Sequence, residues 1–413
     1  MIRPLLLATA SALVLASSIS VHATDWHQYR GPDRDGRSTE TNLSFEWPKD
    51  GPTVAWRVPL GSGFSALTAV DGTIYTLYGK DERTWLGAFA ADTGKQRWQV
   101  DIDKEFTDQY NFGDGPRSTP LVHAGVVYTA SSRGTLTARK SADGSEIWSR
   151  DLATDFAIEL PTFGLSASPL LIDGRLILEI GGNEGRGTVA FDIASGKEIW
   201  TADTGKAGYS SPVEVTIDDQ RQVVIFAGKQ VVGLEPASGT ILWTHPWETG
   251  YDVNAATPIF VAPDQLYVAS GNDVGGGLLE IARRDGAWVV EEVWKSRKLQ
   301  NHYHSSVLAD GTIYGYHNEL LTAADVATGK VSWKQRGFGH GTVVWADGHL
   351  ILLGVEGDLA IAKADPERYD EVARAKPLEG KHWTVPTLHR GHLLIRNESE
   401  LVAFDLRRDA ATP

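Results

Sequence analysis

Cysteine is absent from the 413-residue sequence, and methionine occurs once. A chain without cysteine forms no disulfide and offers no thiolate to a metal ion. It also has no Cys-x-x-Cys-His motif for covalent haem attachment, and no cysteine on which a lipoprotein anchor could be built. Any cofactor or metal ion must therefore be held by other side chains.

Positive charge is also scarce. The sequence has 39 Lys and Arg residues against 53 Asp and Glu residues, which gives a formal net charge of −14. No run of basic residues builds the positive stripe that nucleic-acid-binding proteins present. We therefore expect no nucleic acid among the partners.

Long apolar runs are missing except at the start of the chain. Arg3 precedes an apolar stretch from Leu5 to Ala16, and Val21-His22-Ala23 follows as a small-x-small cleavage site. The stretch is too short to span a bilayer comfortably, and this order of features is typical of a secretory signal peptide. We predict a signal peptide over residues 1–23, export to the periplasm or the cell exterior, and no transmembrane segment.

Glycine and tryptophan are abundant, with 43 and 14 residues, and they recur together. A glycine precedes a tryptophan by four residues in five places, namely Gly94 and Trp98, Gly144 and Trp148, Gly196 and Trp200, Gly239 and Trp243, and Gly329 and Trp333. Asp285-Gly286 with Trp294 is a stretched sixth copy. We predict that these tryptophans are mostly buried between sheets.

A second signal leads each copy of this repeat. Asp-Gly pairs stand between short alternating apolar runs at Asp71-Gly72, Asp173-Gly174, Asp310-Gly311 and Asp347-Gly348, with looser copies at Ala124-Gly125 and Arg390-Gly391. Asp-Gly indicates a β-hairpin because glycine supplies the positive φ that the turn needs. Four short strands in a unit of roughly 40–50 residues are typical of a propeller blade. Only Pro366 to Arg374 has any helical pattern.

Eight inner strands are predicted to start near Phe64, Arg117, Ser166, Tyr209, Asn254, Tyr303, His340 and Trp383. The last repeat ends with a third strand at Leu401 to Leu406, whereas Thr53 to Val58 is an extra strand that contains Trp56. Pairing the two would close the ring and remove two open sheet edges. We predict an all-β fold: one closed eight-bladed propeller over residues 52–408, an N-terminal extension over 24–51 packed outside it, a tail over 409–413, and a monomer.

The glycine-to-tryptophan turn resembles the tryptophan-docking repeat of the quinoprotein-like, or PQQ-like, β-propeller family. The resemblance covers Trp56 to Leu406, and Trp26-His27-Gln28-Tyr29-Arg30-Gly31-Pro32 with Gly36 is similar to the start of exported bacterial members. It implies the propeller fold, with tryptophans packed blade against blade. It implies no single chemistry, because one architecture serves many functions.

Candidate site residues share one phase of the repeat, at the start of each inner strand. The connections between blades open on one face of a propeller, so these side chains should converge on the central channel. The ring consists of Phe64, Arg117, Ser166, Tyr209, Ala255, Tyr303, His340 and Trp383, with Asn254, His302 and His382 one residue earlier and His304 one residue later. Long linkers over residues 101–116 and 151–165 could build its rim.

Four interpretations of this cluster remain open. The groups hold loops and channel water, or they form a funnel that binds a partner protein, a glycan or a small polar ligand. In the funnel, aromatic rings such as that of Phe64 would stack and polar groups would donate hydrogen bonds, and the candidate ligand-binding residues are Arg117, Tyr209, Asn254, Tyr303 and Trp383. The third interpretation is a copper, zinc or nickel site made of His302, His304, His340 and His382.

The fourth interpretation, a quinone-dependent oxidoreductase of alcohols or sugars, comes from the family resemblance. The resemblance implies PQQ stacked on a tryptophan above a calcium ion held by Glu, Asn and Asp, with Trp383 and Asn254 as candidates. The chain lacks the vicinal cysteine pair of the alcohol-oxidising members, and its repeats show no matching Glu/Asn/Asp set. The leading hypothesis is therefore a ligand- or partner-binding scaffold, with no cofactor assigned and the oxidoreductase as the alternative.

Overall fold

The computed structural model describes residues 25–48 and 50–408. The predicted signal peptide, residues 1–23, and the predicted tail, residues 409–413, lie outside the described residues. Within them, eight four-stranded antiparallel sheets form the blades of a propeller, and one short helix, α1 Leu152–Asp155, follows blade 2. The predicted all-β, eight-bladed fold is confirmed. No helix in the described part of the chain has the length and apolar character needed to cross a membrane.

The strands run outward from the channel in chain order within each of the first seven blades. Blade 1 consists of β2 Thr68–Val70, β3 Thr73–Lys80, β4 Arg83–Ala90 and β5 Gln96–Lys104, and blade 2 of β6 Leu121–His123, β7 Val126–Ala130, β8 Thr135–Lys140 and β9 Glu146–Asp151. Blade 3 consists of β10 Leu170–Ile172, β11 Arg175–Gly182, β12 Arg186–Asp192 and β13 Glu198–Ala202, and blade 4 of β14 Val213–Ile217, β15 Gln220–Phe226, β16 Gln230–Leu234 and β17 Ile241–Pro246. Blade 5 consists of β18 Ile259–Val261, β19 Gln265–Ser270, β20 Gly275–Arg284 and β21 Ala287–Ser296. Blade 6 consists of β22 Val307–Ala309, β23 Thr312–His317, β24 Leu320–Asp325 and β25 Val331–Gln335. Blade 7 consists of β26 Thr342–Ala346, β27 His349–Leu353, β28 Leu359–Lys363 and β29 Asp370–Ala375.

Blade 8 joins the two ends of the propeller. Its inner strands are β30 Thr387–His389, β31 His392–Arg396 and β32 Glu400–Asp405, and its outer strand is β1 Thr53–Pro59. β1 runs antiparallel to β32, with Trp56 opposite Ala403. The predicted closure by an N-terminal strand is therefore confirmed.

A buried arginine strengthens the contact between the last and first blades. The Arg396 guanidinium is fully buried and donates to the carbonyl oxygens of Gly61 at 2.8 Å, Ser62 at 3.1 Å and Leu77 at 2.7 Å. Its partners precede or belong to blade 1. One side chain from blade 8 thus satisfies three carbonyl groups at the point where the ring closes.

The repeated tryptophans join neighbouring blades. The indole N–H of Trp98 in blade 1 donates to the Ser141 carbonyl in blade 2, and that of Trp148 donates to Ile193 in blade 3, both at 3.0 Å. The indoles of Trp56, Trp200, Trp294 and Trp333 bond to the next blade in the same way. Of the five tryptophans that we predicted to be mostly buried, Trp148, Trp200 and Trp243 are buried, and Trp98 and Trp333 are half-buried.

Trp243 departs from this pattern. Its indole N–H donates to Gln222 Oε1 at 2.7 Å, within its own blade. The reason lies in blade 5, where the turn that would receive it is replaced by the long β20–β21 hairpin around Asp285-Gly286. The stretched copy of the repeat in the sequence therefore marks a blade that has lost its receiving turn.

The helical pattern of Pro366 to Arg374 is misleading. Asp370–Ala375 is β29, the outer strand of blade 7, and it pairs with β28 so that Ile361 faces Ala373. Because blade 7 needs a fourth strand, tertiary pairing overrides the helix propensity of this charged segment. The helical pattern of this segment therefore corresponds to no helix in the structure.

The N-terminal extension crosses the face of the ring on which the Asp-Gly turns lie. Trp26 pairs with Ala69 in blade 1, and the Glu40 carboxylate accepts the backbone N–H groups of Arg390 and Gly391 in blade 8, both at 2.7 Å. Between these points the extension contacts blades 3, 6 and 7. It lies outside the blades, and its Tyr29 reaches the centre of the ring.

Candidate functional site

A cavity of about 470 Å³ opens at the centre of the ring, on the face opposite the N-terminal extension. We call it the funnel. Each of the eight loops that lead from an outer strand to the next inner strand contributes to its wall, and the extension contributes its floor residue, Tyr29. The lining residues are Tyr29, Phe64, Ala66, Phe112, Arg117, Phe163, Ser166, Ser168, Tyr209, Ser211, Val253, Ala255, His302, Tyr303, His304, His340, Trp383 and Val385.

All eight residues of the predicted ring line the funnel. They lie in the loops just before the inner strands: Phe64 comes before β2, which begins at Thr68, and His340 comes before β26, which begins at Thr342. A second layer, Ala66, Ser168, Ser211 and Val385, follows the ring by two residues. Strand alternation, which places residues two apart on one side, could have predicted that layer.

Asn254 and His382 do not line the funnel. The Asn254 side chain is fully buried, where its amide donates to the carbonyls of Ala227, Gly228 and Trp247, and its oxygen accepts from Ser270 Oγ at 2.5 Å. The structure therefore places Asn254 in the wall, with its hydrogen-bonding groups already engaged. His382 is also fully buried, with Nδ1 2.9 Å from the Gly380 carbonyl oxygen.

Three of the four candidate histidines do reach the funnel: His302, His304 and His340. The ring centroids of His302 and His340 are 5.7 Å apart. Burial, followed by the neighbouring imidazoles, lowers the pKa of His304 to about 3, so this ring is neutral at physiological pH. In the described part of the chain, no group of three or more His, Cys, Asp or Glu side chains is placed to hold a metal ion. The structure therefore gives the metal interpretation no support.

Aromatic rings form one continuous side of the funnel. Trp383 lies between Tyr303 and Phe64, with ring centroids 4.7 and 5.0 Å away. Farther around the wall, Phe163 lies 5.5 Å from Tyr209. Trp383, Tyr303, Phe64 and Tyr209 share one phase of the repeat, which brings them together from different blades, whereas Phe163 lies in the linker before blade 3.

Arg117 connects the two groups of rings. Its guanidinium carbon lies 5.6 Å from the Phe64 ring centroid and 5.9 Å from that of Phe163. The guanidinium donates to the Gly113 carbonyl at 3.0 Å and contacts Asp108 at 3.4 Å. Burial lowers the pKa of Arg117, and Asp108 opposes that effect.

The linker over residues 101–116 forms part of the rim. Asp108 shapes it by accepting the backbone N–H groups of Tyr110 at 2.8 Å and Phe112 at 3.1 Å. Tyr110 and Phe112 are 62% and 49% exposed, and on the same face Tyr251 is 80% exposed. Lys381 lies beside them, with Nζ 4.6 Å from the Trp383 ring centroid and donating to the Phe112 carbonyl at 2.7 Å.

Comparison with known proteins decides the family. A family model described as outer membrane protein assembly factor BamB, of the PQQ-like repeat type, matches residues 82–335, more than half of the chain. This chain belongs to the PQQ-like repeat family. The family prediction made from the glycine and tryptophan repeat is thereby confirmed.

Individual relatives of this PQQ-like propeller are distant. The outer membrane protein assembly factor BamB of Yersinia pestis is 24% identical in an alignment of 279 residues that covers 54% of this chain and 66% of that protein. The chain thus matches just under two thirds of the relative's length.

Solved structures include BamB from Moraxella catarrhalis, with a TM-score of 0.61 at 14% identity over 86% of this chain and 98% of that one. A quinohemoprotein alcohol dehydrogenase from Comamonas testosteroni has a TM-score of 0.66 at 13% identity over 94% and 81%. These likenesses show the fold alone.

The dehydrogenase likeness raises the question of whether PQQ and calcium fit the funnel. Ca²⁺ takes roughly six to eight oxygen ligands, mostly carboxylates, amide or backbone carbonyls and water. The described lining residues include no Asp, Glu, Asn or Gln, and Asn254 uses its amide within the wall. These residues do not fit a calcium-held quinone, and we derive no catalytic step through one.

Proposed function

We propose that this protein is an exported, non-catalytic binding propeller that takes a ligand into its funnel and presents the surrounding rim to a partner protein. The observation that carries the proposal is the funnel itself: a cavity of about 470 Å³ that is lined by Tyr29 of the extension and by aromatic rings from several blades. Its size lies in the range typical of ligand pockets.

The serine hydroxyls in the wall favour binding over nucleophilic catalysis. Ser166 Oγ donates to the Gly164 carbonyl at 3.2 Å, and Ser168 Oγ accepts the Thr119 N–H at 2.9 Å. Neither bond is to a histidine, so neither serine has the general base that would activate it. Ser211, the third serine of the lining, accepts the Ser168 N–H at 2.9 Å and likewise makes no hydrogen bond to a histidine among the described residues.

Two further features support a partner protein at the rim. Exposed aromatic residues such as Phe112 are enriched in protein interfaces. The BamB proteins that this chain resembles are named as assembly factors, which suggests a protein partner here as well. Export would place that partner in the periplasm or outside the cell. The intact mass of the exported protein should then correspond to a chain that begins at Thr24 or Asp25.

The funnel can be tested by filling it. Ala255 lines the funnel and has no polar group, so Ala255→Trp adds bulk there and removes no hydrogen bond. Ala142→Trp is the matched control, because Ala142 is exposed in the turn between β8 and β9, away from the funnel. Thermal unfolding of each protein is measured with sugars, amino acids, organic acids, and PQQ with calcium.

We expect at least one compound class to raise the melting temperature of the wild type and of Ala142→Trp, but not of Ala255→Trp. Binding that stabilises the folded chain raises its melting temperature by mass action. If all three proteins respond alike to every compound, the funnel is not a ligand site. Reduction of an artificial electron acceptor with PQQ and calcium would overturn the non-catalytic part of the proposal.

The rim needs a separate test. A photo-cross-linking amino acid at Phe112 should attach to a discrete partner in cells that export the protein, and the same amino acid at Ala142 should not. Equal cross-linking at both positions would contradict a partner-binding rim.

A further inference from the structure

The N-terminal extension pairs with inner strands at the edges that face the channel. Its Trp26 exchanges two backbone hydrogen bonds with Ala69 of β2, 2.8 and 2.9 Å long. The backbone N–H groups of Val122 in β6 and Trp345 in β26 donate to carbonyl oxygens of the extension at 2.8 and 2.9 Å. Each of these three blade residues is the last but one of its inner strand. The extension thus adds a backbone partner to blades 1, 2 and 7.

The same position has no such partner in four consecutive blades. In blades 3 to 6 it is occupied by Leu171, Thr216, Phe260 and Leu308. Strand alternation directs the backbone N–H and C=O groups of these residues away from the rest of the blade and toward the channel. Within the described residues, no backbone hydrogen bond from outside the blade reaches them. Thr216 is exposed and the other three are half-buried, whereas Ala69 and Val122, next to the extension, are buried.

The longest of these open edges belongs to β14. Its burial alternates along all five residues, so that Glu214 and Thr216 are exposed and the other three are buried. β26 is the other inner strand of five residues, and the extension runs parallel to it where Arg37 pairs with Trp345. Unpaired strand edges bind extended peptides through main-chain hydrogen bonds. The pairing at β26 therefore shows how a peptide would bind at β14.

The charge around this open edge is negative. The inner strands of blades 3 to 6 and the turns that follow them carry six carboxylates, namely Asp173, Glu214, Asp218, Asp219, Asp264 and Asp310. The residues just after these turns add two guanidinium groups, those of Arg175 and Arg221, so six minus two leaves an excess of four negative charges. Arg221 forms ion pairs with Asp173 at 2.8 Å and Glu214 at 2.7 Å. A positively charged segment would complement the charge that remains.

We propose that the inner strand edges of blades 3 to 6, on the face that carries the extension, bind an extended, positively charged peptide segment of a partner protein. The segment would pair with the backbone of Thr216, as the extension pairs with Trp345. Its lysine or arginine side chains would lie beside the carboxylates of the neighbouring turns. This surface faces away from the mouth of the funnel and goes beyond the proposed function.

The test is fluorescence anisotropy of the full exported chain with a labelled peptide of alternating lysine and valine. Two matched peptides separate backbone pairing from charge. Methylation of all backbone nitrogens keeps the charge and removes the main-chain donors, whereas glutamate in place of lysine keeps the donors and reverses the charge. We expect each matched peptide to bind at least about tenfold more weakly than the parent peptide. Added salt should also weaken binding of the parent peptide.

Variants locate the peptide on β14. Thr216→Pro removes an N–H that faces the channel, and a strand tolerates proline where its nitrogen faces an open edge. We expect it to weaken binding of the lysine–valine peptide at least about fivefold, the effect of a lost hydrogen bond. Thr244→Pro is the matched control, because Thr244 is an exposed threonine in outer strand β17 of the same blade, two residues before Pro246. It should leave binding unchanged, and circular dichroism shows whether both variants are folded.

The proposal is wrong if the parent peptide does not bind, if the methylated peptide binds equally well, or if Thr216→Pro and Thr244→Pro bind the parent peptide equally. Ala255→Trp separates this surface from the funnel. Binding that is lost in Ala255→Trp and kept in Thr216→Pro would locate the peptide in the funnel. That result would overturn this proposal and leave the proposed function standing.

Discussion

Substitution of Gly239 can measure how much the contact between blades 3 and 4 contributes to stability. A control is at hand, because Gly348 has nearly the same backbone conformation and no indole beside it. The φ of Gly239 is +72°, and a Cβ built on it would lie 2.4 Å from Trp200 Cε3, a contact that no real Cβ tolerates. Gly348 has a φ of +74°, and a Cβ there would meet no atom within 4 Å. The alanine variants therefore share the backbone penalty and differ in the clash with the docked indole.

The magnitudes follow from these two terms. Gly348→Ala should lower the free energy of unfolding by about 1 kcal/mol, the usual cost of left-handed backbone in a residue with a Cβ. Gly239→Ala should lower it by about 2–4 kcal/mol, because the clash adds about 1–3 kcal/mol. It also threatens the hydrogen bond from Trp200 Nε1 to the Pro236 carbonyl, 3.0 Å long.

Urea unfolding followed by far-UV circular dichroism measures both variants under one condition, and the fitted slopes show whether unfolding remains a single transition. A difference of at least about 1 kcal/mol supports the role of Trp200 as a joint between blades 3 and 4. Equal losses in the two variants would refute it, because the indole would then have moved aside at no cost.

Two further predictions concern buried charges. Glu179 is fully buried, and its Oε2 has no partner among the described residues. Burial raises the pKa of this carboxyl group well above 4.5. The stability contributed by a group whose pKa is raised in the folded state is fully present below pH 4.5 and is lost as the pH rises through the folded-state pKa. Glu179→Gln should therefore gain urea resistance over the wild type at pH 8 and gain nothing at pH 4, and an equal gain at both would contradict the assignment. Arg396→Met should cost about 3–5 kcal/mol by leaving buried carbonyls unpaired, whereas Arg83→Met, at an exposed ion pair, should leave the urea midpoint almost unchanged.

The fold could be predicted from the sequence because the same pattern of turns and strands recurs several times along the chain. One glycine-to-tryptophan turn is a weak signal, but five at the same spacing, four of them led by a hairpin turn of the Asp-Gly type, specify a blade. Closure of the ring could also be predicted, because an extra strand lies at the N-terminal end of the propeller and the last repeat, at the C-terminal end, lacks its fourth strand. The signal fails where the local pattern is lost, as at Pro366 to Arg374.

The funnel lining was partly predictable for the same reason. Ring residues such as Tyr209 and Trp383 occupy the same position in the repeat, and blades of the same structure place that position at the central channel. Asn254 stands one position earlier than Ala255, and its side chain is held in the wall by hydrogen bonds to the Ala227, Gly228 and Trp247 carbonyls. His302 and His304 flank Tyr303 and both reach the funnel. These segments are loops, so the position in the repeat alone does not decide which neighbours of a ring residue face the channel.

Tyr29 was beyond the reach of sequence analysis. Its position depends on where the extension runs, and contacts such as the 2.6 Å hydrogen bond from Arg30 to the Ser306 carbonyl fix that path. Partners 276 residues apart in the chain leave no periodic trace. Nothing in the local pattern of Trp26 to Pro32 indicates that one of its side chains reaches the channel.

The central claim is that the funnel is a ligand site and not a water-filled channel. The most direct measurement is a crystal structure of the wild-type protein grown with the compound that stabilises it most against Ala255→Trp. We predict density for that compound in the funnel, stacked against Trp383 and within hydrogen-bond distance of Tyr303. Density for the compound at the rim or on the outer strands, with only water in the funnel, would contradict the account.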